Sequence, residues 1–135
     1  MTFAQSAKLY CLTVPVFLII ELLWLGVVAK GFYHRHIGHL FRDSVNWTAA
    51  ILFYLIFIAG MQVFVIHPAT AAQSALRALW LGMFYGLVTY ATFDLTCLAL
   101  FKGWGPTIVA VDILWGVVAS ALVSSAGYQI ARWIS

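Results

Sequence analysis

Charge is what this sequence has least of. Only 8% of its 135 residues are Asp, Glu, Lys or Arg, against roughly 25% in an average soluble domain. The net charge of +3 is small, and the Lys and Arg residues fall at the ends of apolar segments or between them. Basic residues in such places ordinarily meet anionic lipid headgroups, so nucleic acid is not an expected partner. The two cysteines, Cys11 and Cys97, are expected near opposite membrane faces, too far apart for a disulfide, and read as small apolar packing residues. The sequence has no glycine-rich phosphate loop, no zinc-spaced Cys/His set and no serine–histidine–acid spacing. No histidine falls inside the expected spans, which leaves an intramembrane bis-histidine haem without support. A small-x-small cleavage site is also missing after the first apolar run. That run is long and contains Glu21, so a cleaved signal peptide is not expected.

What the chain has in abundance is apolar sequence. Hydrophobic residues make up 64% of it and the mean hydropathy is +1.01. Crossing a hydrocarbon core takes about 20 helical residues, and four stretches are long enough: 9–29, 45–66, 78–101 and 107–131. The expected fold is therefore all-α, a single integral membrane domain of four transmembrane helices with short loops. His67-Pro68 reads as the end of the second helix, and 70–74 as the start signal for the third. Lys102-Gly103-Trp104-Gly105-Pro106 is short enough to force the last two helices into an antiparallel hairpin, with Trp104 suited to the membrane interface. Counting Lys and Arg puts the first and third connections on the cytoplasmic side.

Three of the four acids, Glu21, Asp94 and Asp112, lie inside the apolar segments, and no Lys or Arg accompanies them. Each ionised carboxylate near the bilayer centre costs about 2.5 to 3.5 kcal/mol on insertion scales. Protonation, a bound cation, hydrogen bonds between helices or a basic side chain folding in from a loop must offset that cost. At a rise of 1.5 Å per residue, the three acids lie roughly 9 to 13 Å below the face that carries the first and third connections. Tyr54 stands at the matching level of the second helix, with Asn46 and Thr48 nearer the surface.

Residues three or four apart share a helix side. Phe17, Glu21 and Trp24 form one stripe, and Ile108, Asp112 and Trp115 another, so each of these acids has a tryptophan one turn on. In the third helix Ala78, Gly82, Gly86, Tyr90 and Asp94 recur every four residues, as do Asp112, Gly116, Ser120 and Ser124 in the fourth. Small residues at this interval allow close helix approach in lipid, and they point the acids toward neighbouring helices.

The Glu21-x-x-Trp24-Leu-Gly26 start, Phe53-Tyr54, the stretch from Thr92 to Thr96, Lys102-Gly103-Trp104 and Asp112-x-x-Trp115-Gly116 together resemble a group of small bacterial four-helix membrane proteins. That group is catalogued as a domain of unknown function, family 2177. The resemblance covers nearly the whole chain. It implies a multi-pass protein of the bacterial inner membrane and supplies no activity. In the family's pattern Asp-Leu-Thr is usually followed by Asn and the first helix usually carries Asp; here Cys97 and Glu21 hold those positions. Glu21 keeps the acid, whereas a thiol is a much poorer hydrogen-bonding group than an amide.

Several functional classes remain open at this level. The first is a titratable pocket for a proton, a cation or a small solute. Its direct ligands would be Glu21, Asp94 and Asp112, oriented by Tyr54 and Tyr90 and walled by Trp24 and Trp115. A transport role for that pocket calls for at least a homodimer. The second is a membrane enzyme acting on a lipid or other hydrophobic substrate, with one protonated acid donating while an ionised partner accepts. The third is a non-catalytic subunit whose small-residue ridges contact a partner. Residues 30–44 interleave Phe32, Tyr33, Ile37, Leu40 and Phe41 with basic residues, as in an interfacial amphipathic segment broken at Gly38. His34, His36 and His39 in that segment are candidates for relaying protons to the acids or completing a metal site. The sequence assigns no cofactor.

Overall fold

The computed structural model describes residues 1–135 and is helical almost throughout. Helix α1 (Phe3–Leu23) is opened by a capping box, in which the Thr2 side chain accepts from the Gln5 backbone and Gln5 reaches back to Thr2. A π-helical turn (Trp24–Val28) carries α1 to the amphipathic helix α2 (Lys30–Ile37) and a short 3-10 turn (Gly38–Leu40). Helix α3 (Trp47–Met61), capped by the Asn46 side chain, continues through a second π turn (Gln62–Ile66) into α4 (His67–Ala71). Helix α5 (Ala75–Leu100) begins at a Ser74 cap and α6 (Pro106–Ile134) at a proline, whose missing N–H has no helical partner to lose. Four spans are long and apolar enough to cross a membrane: Phe3–Val28, Trp47–Ala71, Ala75–Leu100 and Pro106–Ile134.

Four long apolar helices are present as expected, and two features differ from the sequence reading. His67-Pro68 does not end the second span, which runs on to Ala71. A proline inside a helix lacks one backbone donor and crowds the carbonyl four residues back. The turn just before Pro68 has shifted register, with the His67 N–H bonding Gln62 O five residues back, and such insertions are where helices absorb a break. His67 thus stands within the last turns of a membrane span. The segment after the first span is also more ordered than a loop, since Tyr33 and Ile37 of α2 are buried against Ile108 and Val109 of α6.

Helices α5 and α6 form the tightest pair. The small-residue stripes anticipated from the four-residue spacing meet each other along it: Ala78, Gly82, Gly86 and Asp94 of α5 and Gly116, Ser120 and Ser124 of α6 are all buried. A Cβ at Gly82 would stand 2.8 Å from the Ser124 side chain, and one at Gly86 would run into the Gly116 carbonyl. The ridges are occupied within the chain itself, so they are not surfaces for a partner. Around them Leu9, Phe17, Phe57, Ile58, Met61 and Val123 build a second packing layer between α1, α3 and α6. Large apolar side chains such as Ile19, Ile56, Phe84 and Leu114 point outward, as a surface solvated by lipid tails requires.

The second span divides its contacts. Its end at the π turn packs on both α5 and α6, whereas α3 beyond that turn lies chiefly against α1. Towards the face bearing α2, therefore, α3 and α5 stand apart.

Candidate functional site

A cavity of about 370 Å³ lies where α3 and α5 part. Glu21 and Leu25 line it from the first span, Phe53, Tyr54 and Phe57 from α3, Thr89, Tyr90 and Phe93 from α5, and Asp112 from α6. Glu21 is buried at 6% exposure. Its Oε1 accepts from Trp115 Nε1 at 3.3 Å and its Oε2 from the Tyr90 hydroxyl at 3.5 Å. Asp112, half-buried, accepts a short bond of 2.6 Å from the Tyr33 hydroxyl, and that hydroxyl accepts in turn from Trp24 Nε1 at 3.0 Å. The Trp24 and Trp115 rings stack with centroids 4.4 Å apart, so the donors serving the two acids are held against each other.

Asp94 is placed differently. It is fully buried, and neither carboxyl oxygen has a hydrogen-bond partner. It faces the Asp112 carboxyl and the Trp104 indole, whose Nε1 is buried and equally without a partner. The indole N–H and the two carboxyls lie close together outside ideal hydrogen-bond geometry, and a proton on either acid would bridge the pair. Trp104 lies half-buried in the short connection between two spans, edge-on to Phe93.

Each residue singled out from the sequence can now be located. Glu21, Tyr54, Tyr90 and Asp112 share the cavity wall. Trp24 and Trp115 form a stacked pair outside the lining, and Asp94, on the helix hairpin that also carries Asp112, stands against Asp112 without lining the cavity. Asn46 is the cap of α3 and Thr48 is exposed, so neither contributes. No basic side chain folds in: all seven Lys and Arg residues are exposed. The histidines of the α2 segment do not serve the acids either. His34 and His39 are exposed, and His36 bonds the Phe32 carbonyl. No set of three His, Cys, Asp or Glu residues is arranged to hold a metal ion.

The residue that the segment does supply is Tyr33, which the sequence pattern groups with its apolar members. It is buried, and that burial together with its bond to the Asp112 carboxylate raises its phenol above the ordinary range, so it remains a donor. A usable signal was present. Tyr33 and Ile37 lie four apart on one side of α2, opposite the exposed Arg35, and a tyrosine on the inner face of such a segment has a hydroxyl to satisfy.

The family described as predicted membrane protein (DUF2177) matches residues 6–129. The chain belongs to this family. The match takes in the second and third spans whole, most of the first and fourth, and every residue of the cavity wall, and it bears out the resemblance carried by the Asp-Leu-Thr and Asp-x-x-Trp-Gly elements. No curated protein and no solved structure matches the chain.

Proposed function

We propose that Glu21, Asp94 and Asp112 form one intramembrane carboxylate cluster, and that this DUF2177 protein uses it to bind a proton or a cation and move it across the bacterial inner membrane. The observation that carries the reading is that Glu21 and Asp112, from opposite ends of the chain, line a single cavity while Asp94 stands against Asp112 with both oxygens unpaired. The groups facing Glu21 are the Trp115 indole and Asp112 of α6, Tyr90 of α5 and Tyr54 of α3; Asp112 also faces Tyr33 of α2 and Asp94 of α5. All the donors among them are neutral, and none supplies a compensating positive charge. Carboxylates at this depth must then be neutralised by protons or by a bound cation, and exchange of one for the other is the elementary step of proton-coupled movement.

The closely packed α5–α6 seam at Ser120 and Ser124 closes the cluster off from the opposite face in this arrangement. With only four helices, alternate exposure of the cluster to the two faces requires a second copy, so the reading includes a homodimer.

Proton release provides the test. Titrating the purified protein with inorganic and organic cations in weakly buffered detergent is expected to release protons from wild type. Release should fall in both Glu21→Gln and Asp112→Asn. Folded variants that release as much as wild type would overturn the reading.

A further inference from the structure

The chemistry of the cavity wall is specific enough to name the class of cation, on the footing that the carboxylate reading above is correct. Five of the nine lining residues are aromatic: Phe53, Tyr54, Phe57, Tyr90 and Phe93. The remainder are two carboxylates, a leucine and a threonine. Hard inorganic cations such as calcium take six to eight oxygen ligands, and magnesium a near-ideal octahedron of them. A wall made mostly of hydrocarbon rings cannot provide that shell, and no three-ligand set is present. Aromatic faces combined with carboxylates instead suit a quaternary or protonated ammonium, whose diffuse charge is attracted by ring quadrupoles. The cavity, at about 370 Å³, falls within the roughly 300 to 1,000 Å³ typical of small-molecule sites.

The route of entry points to the rest of the ligand. Phe53 and Phe93 line the cavity, yet are 49% and 55% exposed. They therefore reach the outer surface on the flanks of α3 and α5, where the two helices part. That rim faces lipid. A molecule entering there comes from the acyl chains, with its charged end going to Glu21 and Asp112 and its apolar body resting on the rim. We infer that the cavity between α3 and α5 is a binding site for an amphiphilic organic cation, an ammonium on an apolar body, which enters sideways from the bilayer.

The inference is tested by calorimetric titration of the full-length protein in lipid nanodiscs with benzyltrimethylammonium. Neopentylbenzene, its uncharged isostere, serves as competitor, and sodium and magnesium salts are titrated in parallel. The cation is expected to bind and the isostere to compete poorly, and Phe53→Leu and Phe93→Leu each to weaken binding several-fold by removing a ring that packs on the benzyl group. Both positions are exposed, so folding is expected to survive, and circular dichroism with size-exclusion profiles verifies it. Equal competition by the isostere, or unchanged affinity in both rim variants, would overturn the inference. If benzyltrimethylammonium fails to bind while an inorganic cation binds and loses affinity in Glu21→Gln, the ligand class is wrong and the carboxylate reading survives. If no cation binds, the inference fails and the carboxylate reading is reduced to its proton-binding form.

Discussion

The indole rings of Trp24 and Trp115 lie face to face, their planes within 5° and their centroids 4.4 Å apart. One ring donates to the Tyr33 hydroxyl, which donates to Asp112; the other donates to Glu21. The stack thus fixes the donors of two acids on different helices at once. An aromatic pair of this kind contributes about 0.5 to 1.5 kcal/mol beyond its burial, and here it also sets the spacing of the carboxylates.

Trp115→Phe keeps a ring for the stack and removes the indole donor. Glu21 is then left with only the long bond from Tyr90. A loss of about 1 to 3 kcal/mol is expected, the cost of leaving a buried acceptor short of a partner. Thermal unfolding in detergent measures it. Trp24→Phe should reduce stability less, since Tyr33 would still donate to Asp112.

Two glycines should behave oppositely. In Gly86→Ala the new methyl meets the Gly116 carbonyl and the Ser120 side chain across the α5–α6 seam. Two backbones must separate, so a loss of about 1 to 3 kcal/mol is expected from overpacking. Nothing lies within 4 Å of a Cβ at Gly26, and Gly26→Ala should be neutral or slightly stabilising through the better helix propensity of alanine. Comparison of the two unfolding midpoints checks both.

Tyr33 predicts an alkaline limb in stability. Its phenol is raised in the folded protein by burial and by the Asp112 carboxylate, while in the unfolded chain it titrates near 10. The folded state therefore holds the proton more tightly. Its stabilisation is complete below about pH 10 and is lost as pH rises from there toward the higher folded value. Tyr33→Phe should be less stable than wild type at neutral pH, with the gap narrowing above about pH 10. A gap that stays constant across that range would contradict the assignment of Tyr33 as the donor to Asp112.

The four spans were legible because length and apolarity decide membrane crossing almost unaided. The α5–α6 seam was legible for a similar reason: four-residue spacing of Gly82, Gly86, Gly116, Ser120 and Ser124 is a one-dimensional pattern with a direct three-dimensional meaning. Tyr33 was harder to read. Its spacing with Ile37 marks an inner face of α2, but its partner Asp112 depends on how α2 folds back over α6, a tertiary contact that local spacing does not encode. The continuation of the second span past Pro68 was hidden likewise, because a π turn is a change of hydrogen-bond register with no strong residue signature. The contacts of Trp104 with Asp94 and Phe93 depend on tertiary packing, which an interfacial preference of tryptophan in general does not specify.

The central claim is that the three membrane acids act as one site. It is tested most directly by native mass spectrometry and elemental analysis of wild type, Glu21→Gln, Asp94→Asn and Asp112→Asn, each purified in the presence of saturating cation. The account predicts a bound species on wild type that is lost from all three folded variants. Three folded variants with the same bound species as wild type would contradict it and leave the acids as packing residues.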